Sequence, residues 1–324
     1  MTACTHPPAS RPPAGARRAA LGLAVLLAGC ATTSNPPELW PGTEVPPGQD
    51  AKLVAYNVAL GAVAGGLGAL VNGDRDRALR RFARGAGWGA AGGTVSYLGK
   101  WQAGEIAANE SLARALPARL VHDAGVSVIE NASHDRHPLD RFATHLGVVR
   151  LDVRPRSGAV RARLLPFNAL AVGYLLASGD QDLDFGRSLV YGGPVFTADE
   201  VRVPTVGDED RQFNGYAFFG SVVLQRQPDG VAYDVAAHEL VHVMQFNEMT
   251  RIEAAFRAPL DARLRRSESY RSVARWVYLD SPALNVLAYF AVEGGTRESR
   301  CYYDNWLERE AEAFGERRPV GVCP

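Results

Sequence analysis

Neither sign of charge is in excess in this 324-residue sequence, which has 35 basic and 35 acidic residues. No basic stripe is evident either, so the charge pattern gives no reason to expect a nucleic acid as partner. The hydrophobic share of 47% and the charged share of 22% are those of a globular chain rather than a disordered one. A chain of this length can bury a sizeable core, as one large domain or two smaller ones.

Acidic residues are missing from the first thirty positions. Three arginines precede an apolar run from Ala19 to Leu27, and the segment ends in Leu-Ala-Gly-Cys at Cys30. A basic start, an apolar stretch and small residues before a cleavage point are typical of a secretory signal. The segment resembles a bacterial lipoprotein signal peptide, in which the cysteine is lipidated and becomes the new N-terminus. The resemblance implies that residues 1–29 are removed and that Cys30 carries the lipid. With Ala31 after the cysteine, the expected location is the outer membrane, facing the periplasm.

Cysteine is scarce, with four residues in the whole chain. Cys4 would be lost with the signal peptide and Cys30 would carry lipid, which leaves Cys301 and Cys323. In an oxidising compartment two such cysteines near one end of a chain can form a disulfide. The alternative is two separate buried thiols.

Few aliphatic side chains occur between residues 30 and 50, where five prolines stand close together. Such a composition is typical of a flexible tether between a lipid anchor and a folded body.

Charge is also missing from Leu53 to Val71, where Gly61 and Gly65 lie four residues apart. The same spacing returns in the segment 85–98, where Gly85, Gly89 and Gly93 lie four residues apart. Small residues four apart let two helix backbones approach closely, so residues 51–145 are predicted as a glycine-rich helical region that begins with a tightly packed hairpin. A hairpin inserted in the membrane is the alternative, although the first segment barely reaches the roughly 20 residues that a bilayer requires.

The period of the pattern changes after residue 145, and residues 146–324 are predicted as a second domain. Apolar and charged residues alternate in 149–154 and again in 159–164, which predicts a β-hairpin. Further strands are predicted in the runs SLVYGGPVF, EVRVPTV and YAFFGSVVLQR. Residues 250–316 are predicted to be mostly helical. The expected fold class is therefore α+β, with a helical hairpin, a central antiparallel or mixed sheet, and C-terminal helices.

The segment AHELVHVMQF contains an H-E-x-x-H motif. Asp234 can cap a helix from Val235 to about Phe246, on which His238 and His242 lie one turn apart and can reach one ion. Glu239 lies beside them, where a general base is needed to take a proton from a water on the metal. Zinc suits this ligand set, and structural histidines on a half-buried helix face are the alternative.

A carboxylate is needed as the third ligand. Glu248 lies six residues after the second histidine, but a continuing helix would carry it roughly 9 Å along its axis, too far to share the ion. The segment 304–315 is the better source, because Glu308, Ala311 and Glu312 share one helix face there. Glu308 can complete the site, Ala311 allows close packing, and Glu312 can orient a ligating histidine.

At HELVH and EREAE the sequence resembles the gluzincin metallopeptidases, over about ten residues in all. The resemblance implies a zincin-like fold, Zn2+ on His238, His242 and Glu308, Glu239 as the base, and Glu312 holding a ligand. Glu312 departs from the family's usual aspartate, and the long spacer before Glu308 keeps Glu310 open as an alternative ligand. The resemblance also implies an edge strand that binds extended peptide, for which residues 216–224 are the candidate.

The expected function is zinc-dependent hydrolysis of peptide bonds by a lipid-anchored protein of the cell envelope. Its substrate would be a peptide or protein. The alternative is an envelope lipoprotein without catalysis, with a structural or vestigial zinc site and a membrane-contacting glycine hairpin. A peptidase also needs a group that stabilises the oxyanion, and Tyr289, Tyr302 and Tyr303 are candidates, although aromatic residues are more often part of a core.

Overall fold

A computed structural model describes residues 49–73, 77–202, 212–228, 230–283, 285 and 306–315. These residues form a mixed α+β structure, as the sequence predicts. The helices are α1 (Gln49–Asn72), α2 (Ala78–Ala108), α3 (Ala115–Ser133), α4 (Pro166–Ser178), α5 (Phe185–Tyr191), α6 (Tyr233–Phe256), α7 (Ala258–Leu264), α8 (Glu268–Trp276) and α9 (Trp306–Phe314).

The strands form three sheets. They are β1 (Phe142–Leu146), β2 (Val149–Arg154), β3 (Ala159–Leu164), β4 (Asp182–Leu183), β5 (Val195–Ala198), β6 (Val201–Arg202), β7 (Gln212–Phe213), β8 (Gly215–Phe218), β9 (Ser221–Gln227) and β10 (Gly230–Val231). One sheet has the order β1-β2-β3, and a mixed sheet has the order β10-β9-β5-β4 with β8 also paired to β9. The strands β6 and β7 form a separate pair.

Several sequence predictions fall outside the described residues. They are the signal peptide 1–29 with Cys30, nearly all of the tether 30–50, the candidate disulfide of Cys301 and Cys323, and the candidate oxyanion groups Tyr289, Tyr302 and Tyr303.

The hairpin of α1 and α2 is packed backbone against backbone. A Cβ added at Gly61 would lie within 3.0 Å of the carbonyl oxygen of Gly89, closer than real Cβ atoms come. The same holds for Gly65 against the carbonyl oxygen of Gly85. The tight packing predicted from the glycine spacing is therefore confirmed.

A second close seam joins α2 to α3. A Cβ at Gly99 would lie within 3.0 Å of the backbone nitrogen of His122, and one at Gly125 would meet the backbone nitrogen of Ser96. Two glycine-lined faces therefore hold α2 between α1 and α3, and this layer packs on α6.

Among the described helices, α1 alone is long and apolar enough to cross a membrane, over Ala51–Asn72. A core helix of a soluble protein passes the same test, and the polar side chain of Asn57 in this helix is fully buried.

The predicted hairpin of β2 and β3 is confirmed. The strands pair antiparallel from Val149 opposite Leu164 to Arg154 opposite Ala159, and Gly158 in the turn has a φ of 67°. The sequence did not predict β1, which pairs antiparallel with β2. The predicted domain boundary between residues 145 and 146 lies inside β1.

The strand predicted for SLVYGGPVF is wrong in its first half, which belongs to α5. The Asp184 side chain caps this helix by accepting a hydrogen bond of 2.8 Å from the Arg187 backbone amide. Gly192, with a φ of 76°, ends the helix in the left-handed conformation. Only the last two residues of the predicted run enter β5.

The run YAFFGSVVLQR forms two strands rather than one. Phe219 and Gly220 make a two-residue turn between β8 and β9, with Phe218 opposite Ser221. Phe219 has a φ of 54°, in the left-handed region that disfavours a bulky residue, so its aromatic side chain hid the turn in the sequence. The candidate edge strand 216–224 is corrected accordingly, because β9 pairs with β5 and lies inside the sheet.

The motif helix α6 is longer than predicted. It begins at Tyr233, with Ala232 as its N-cap, so Asp234 lies in the first turn and is not the cap. Its side chain accepts a bond from the Val235 amide. The helix continues to Phe256, so Glu248 lies well past the histidines along the helix axis. This agrees with the expectation that Glu248 is too far away to share the ion.

Candidate metal centre

Two helices bring the three candidate ligands together. His238 and His242 project from one face of α6, and their Nε2 atoms lie 3.0 Å apart. Glu308, in the first turn of α9, places one carboxylate oxygen 3.3 Å from His238 Nε2 and the other 3.4 Å from His242 Nε2. One ligand atom from each residue lies within 4.8 Å of the others, so this group can hold a metal ion.

The spacing of these atoms fits a tetrahedral ion. Zinc bonds to nitrogen and oxygen of about 2.1 Å at tetrahedral angles separate two donor atoms by about 3.4 Å. The two imidazole nitrogens are 3.0 Å apart, and each lies 3.3 or 3.4 Å from a carboxylate oxygen of Glu308, a different oxygen for each histidine. Taken pair by pair, these separations are close to that value. Two imidazoles and one carboxylate would supply three of the four ligands of such a site.

Close packing between α6 and α9 makes this arrangement possible. Ala311 is fully buried in the core cluster that contains residues of α6, in keeping with the close packing predicted for it. A Cβ at Gly315 would lie within 3.0 Å of the backbone of His238. A residue with a side chain at position 315 would therefore push the end of α9 away from the motif helix.

The electrostatics of the site suit a cation. Burial alone would lower the pKa of His242, but the adjacent Glu308 carboxylate overrides this and raises that pKa to about 10. In return, despite burial, the neighbouring imidazoles hold the pKa of Glu308 well below its usual range. Glu308 is therefore ionised, and the charge that it directs at both imidazoles is available to a divalent metal ion.

Glu239 follows His238 on α6, so its side chain lies beside the helix face that carries the two histidines. Its side chain is buried, and this burial raises the pKa of its carboxyl group above the ordinary value, against the lowering effect of the two imidazoles. The backbone of Ala217 in β8 donates a hydrogen bond to it. The position beside the metal face and the raised pKa suit a group that accepts a proton more readily than an ordinary carboxylate.

Gln245 orients His242, a role that the sequence argument missed. Its Nε2 donates to two acceptors, the carbonyl oxygen of Leu307 at 3.0 Å and the carboxylate of Glu310 at 2.8 Å. Its Oε1 is thereby turned toward His242 Nδ1, at 2.9 Å. His242 Nδ1 must then carry the proton, which leaves the Nε2 lone pair directed at the metal position.

Glu310, the alternative third ligand, has different partners. Besides Gln245, its carboxylate accepts bonds from Asn57 Nδ2 at 2.6 Å and from Lys100 Nζ at 3.0 Å. Lys100 also forms an ion pair with Glu248 at 2.8 Å. Glu248 and Glu310, the two other carboxylates considered as third ligand, therefore both bind the buried ammonium group of Lys100. Of these three carboxylates, Glu308 alone reaches His238 and His242.

Glu312 is buried on α9, with 9% of its surface exposed. Its role in holding a ligating histidine stays a prediction. The contact between Gln245 and His242 could have been predicted from the sequence, because residue 245 lies about one turn after His242 on the same helix.

Comparison with known protein families, curated proteins and solved structures finds no match to this chain.

Proposed function

We propose that this protein is a zinc-dependent metallopeptidase with a zincin-like fold, in which His238, His242 and Glu308 hold the metal. The observation that supports the proposal is the convergence of these three side chains from two distant segments, with one ligand atom from each within 4.8 Å of the others. Zinc fits the donor set best, because neutral imidazoles and a carboxylate are its usual ligands in catalytic sites.

In this proposal the metal ion, Glu239 and Gln245 have separate roles. Bound zinc would supply Lewis acidity, polarising the carbonyl group of the substrate and acidifying a water molecule in the site. Glu239 takes the proton from the attacking water and returns it to the leaving amine. Gln245 keeps His242 in the tautomer that can bind metal, and its bond to the backbone of Leu307 connects α6 to the helix that carries Glu308.

The substrate in this proposal is an extended peptide that lies along β8. This strand pairs with β9, and its Ala217 amide bonds to Glu239, so the strand runs directly beside the proposed base. A peptide paired with such a strand exposes its backbone carbonyl groups in a regular register. The position of β8 replaces the longer segment expected from the sequence.

The proposed location is the cell envelope, with a lipid on Cys30 anchoring the chain in the outer membrane. It rests on the basic, apolar and small-residue pattern of residues 1–30. Labelling with a radioactive fatty acid in cells, for the unchanged chain and for Cys30→Ser, tests it directly.

A second candidate function is a structural zinc site in a protein without catalysis. The burial of the ligands favours it, since His238 and Glu308 each expose 8% of their surface. The experiment below separates the two candidates.

The test measures bound zinc and peptide hydrolysis on the same purified variants. We expect one zinc ion per chain, lost in His238→Ala and Glu308→Gln. Glu310→Gln is the matched control, because it changes the same residue type two positions away and should keep the metal. Glu239→Gln should also keep the metal but lose hydrolysis by roughly 100- to 10,000-fold.

Two results would count against the peptidase. Zinc retained in Glu308→Gln would remove the proposed ligand set. Zinc bound as expected, with no hydrolysis of unfolded protein or of a peptide library by the unchanged chain, would favour the structural site instead.

A further inference from the structure

Helix α8 lies beside β3, the edge strand of the three-stranded sheet, and buries little of its surface. Arg161 of β3 donates a hydrogen bond of 2.9 Å to the carbonyl oxygen of Ala274, and the Tyr278 amide donates one of 2.8 Å to the carbonyl oxygen of Leu164. Of the nine residues of α8, Ala274 alone is buried. The rest of the helix therefore forms surface.

Arginine dominates this surface. The stretches 154–161 and 262–276 together contain eight arginines, all exposed, against one acidic residue, Glu268. We call this set the arginine face: Arg154, Arg156, Arg161, Arg263, Arg265, Arg266, Arg271 and Arg275. No continuous basic stripe is evident in the sequence, because the two stretches are about one hundred residues apart and come together only in the fold.

Three members of the arginine face, Arg154, Arg161 and Arg265, lie close enough to influence one another electrostatically. Burial and the nearby charges of Arg163, Arg265 and Arg154 lower the pKa of Arg161. Arg163, the one neighbour that is buried, is neutralised by Asp152 at 2.5 Å. Glu268 lies within these stretches and Asp261 directly precedes one of them, so the eight exposed arginines still leave the surface with a net positive charge.

Large apolar side chains are exposed among these arginines. Trp276 at the end of α8 exposes 75% of its surface, Val273 one turn earlier exposes 48%, and Val160 on β3 exposes 66%. A short helix with arginines, little overall hydrophobicity and an exposed tryptophan has the composition of helices that lie in a membrane interface. Tryptophan is enriched at that depth because its ring is both apolar and able to donate a hydrogen bond.

We propose that the arginine face, with Trp276 and the two valines, is a docking surface for the headgroup region of an anionic phospholipid bilayer. Phosphate groups complement the arginines, and the acyl boundary accepts the exposed indole and valine side chains. A nucleic acid would complement the charge but would leave the aliphatic side chains in contact with water. The surface is separate from the metal residues, so this inference does not depend on the proposed catalytic activity.

The experiment uses the chain from residue 31 onward, so that neither the basic, apolar segment 1–29 nor a lipid on Cys30 contributes to binding. Binding is measured by cosedimentation with vesicles of phosphatidylcholine and phosphatidylglycerol in equal parts, and with vesicles of phosphatidylcholine alone. We expect binding to the anionic vesicles that weakens as salt is added. Each arginine near such a surface contributes about a fivefold change in partition, so Arg265→Gln/Arg271→Gln/Arg275→Gln should bind roughly 100-fold more weakly.

The matched control removes three exposed arginines elsewhere, in Arg77→Gln/Arg80→Gln/Arg114→Gln, and should bind nearly as well as the parent chain. Tryptophan emission should shift to the blue on anionic vesicles, and the shift should be much smaller in Trp276→Phe. Equal loss of binding in both triple variants would overturn the proposal, since only net charge would then matter. Tighter binding to a duplex DNA oligonucleotide than to the vesicles would also overturn it and assign the surface to nucleic acid.

Discussion

Gln245 controls how His242 can bind a metal, because its Oε1 accepts the proton on Nδ1. Replacing this residue with alanine removes the acceptor and lets the imidazole rotate or change tautomer. We expect Gln245→Ala to bind zinc roughly 10- to 100-fold more weakly, the usual cost of losing a group that orients a metal ligand. Competition with a chromophoric chelator measures the affinity.

Gln227→Ala provides the control for this prediction, since residue 227 is exposed at the end of β9. Its zinc affinity should equal that of the unchanged protein. An unchanged affinity in Gln245→Ala as well would show that the packing of α6 alone orients His242.

Lys100 is one of only two lysines in the sequence, and it is 1% exposed between Glu248 and Glu310. The substitution Lys100→Met keeps the apolar stem but leaves two buried carboxylates without their cation. We expect the free energy of unfolding to fall by about 3–5 kcal/mol, as when one partner of a buried ion pair is removed. Urea unfolding monitored by circular dichroism measures it.

The other lysine, Lys52, is exposed on α1, so Lys52→Met is the matched control and should change the unfolding free energy by less than about 0.5 kcal/mol. Similar stability in the two variants would mean that the carboxylates recruit another partner or a proton when the ammonium is gone.

Which residues share a helix face was predictable at this site, whereas the partners of Glu310 in distant segments were not. The i, i+4 spacing places both histidines on one face in any helix, and the face shared by Glu308 and Glu312 follows from the same period. The sequence favoured Glu308 but left Glu310 open, and only the structure shows that Asn57 and Lys100 bind the latter. These residues lie more than two hundred positions before Glu310, and no local pattern connects them.

At the scale of elements, the glycines between α1 and α2 determine how closely the two helices of the hairpin pack. Position 89 faces the carbonyl oxygen of Gly61, whereas a Cβ at position 87 of the same helix would meet nothing within 4 Å. We expect Gly89→Ala to reduce the unfolding free energy by roughly 1–3 kcal/mol, because the helices must separate to admit the methyl group. Gly87→Ala should instead add up to about 1 kcal/mol, from its better helix propensity.

Urea unfolding of both variants tests this prediction, and the opposite signs make it independent of any general effect of alanine. Stabilisation by Gly89→Ala would show that the two helices are not in backbone contact.

The boundaries of helices and strands were predictable where the sequence signals agree, and they were missed where two signals compete. The β2–β3 hairpin was predictable because alternation and a glycine turn agree. The run SLVYGGPVF has strand-like composition, but the cap from Asp184 and the left-handed Gly192 favour a helix in its first half. The turn after Phe218 was missed because an aromatic residue occupies the left-handed position.

At the scale of the whole molecule, a buried ionic cluster joins the three-stranded sheet to α3 and α6. Glu130 of α3 accepts bonds from Arg150 of β2 at 3.0 Å and from Arg251 of α6 at 3.1 Å. Arg251 also contacts Asp123, at 3.3 Å. The predicted second domain and the glycine-rich region share this cluster, which composition alone could not reveal because each partner sits in an ordinary amphipathic segment.

His145 lies inside this cluster and gives it a pH dependence. Burial, with the charges of Arg150 and Arg251, lowers the pKa of His145 to about 3, while an unfolded histidine has a pKa of about 6.5. Below pH 6.5 the unfolded chain therefore binds a proton that the folded protein excludes. The stability that this neutral histidine allows is present above pH 6.5 and is lost as the pH falls toward 3.

The slope for one such group is about 1.4 kcal/mol per pH unit once the unfolded histidine is fully protonated. Between pH 6 and pH 5, we therefore expect the unchanged protein to lose about 1 kcal/mol more unfolding free energy than His145→Gln, which has no proton to exclude. The exposed His137 supplies the control, and His137→Gln should keep the steeper dependence of the unchanged protein. If His145→Gln and the unchanged protein lost stability equally over this range, His145 would have to be charged in the fold, and the two arginines beside it would need a further acidic partner to tolerate that charge.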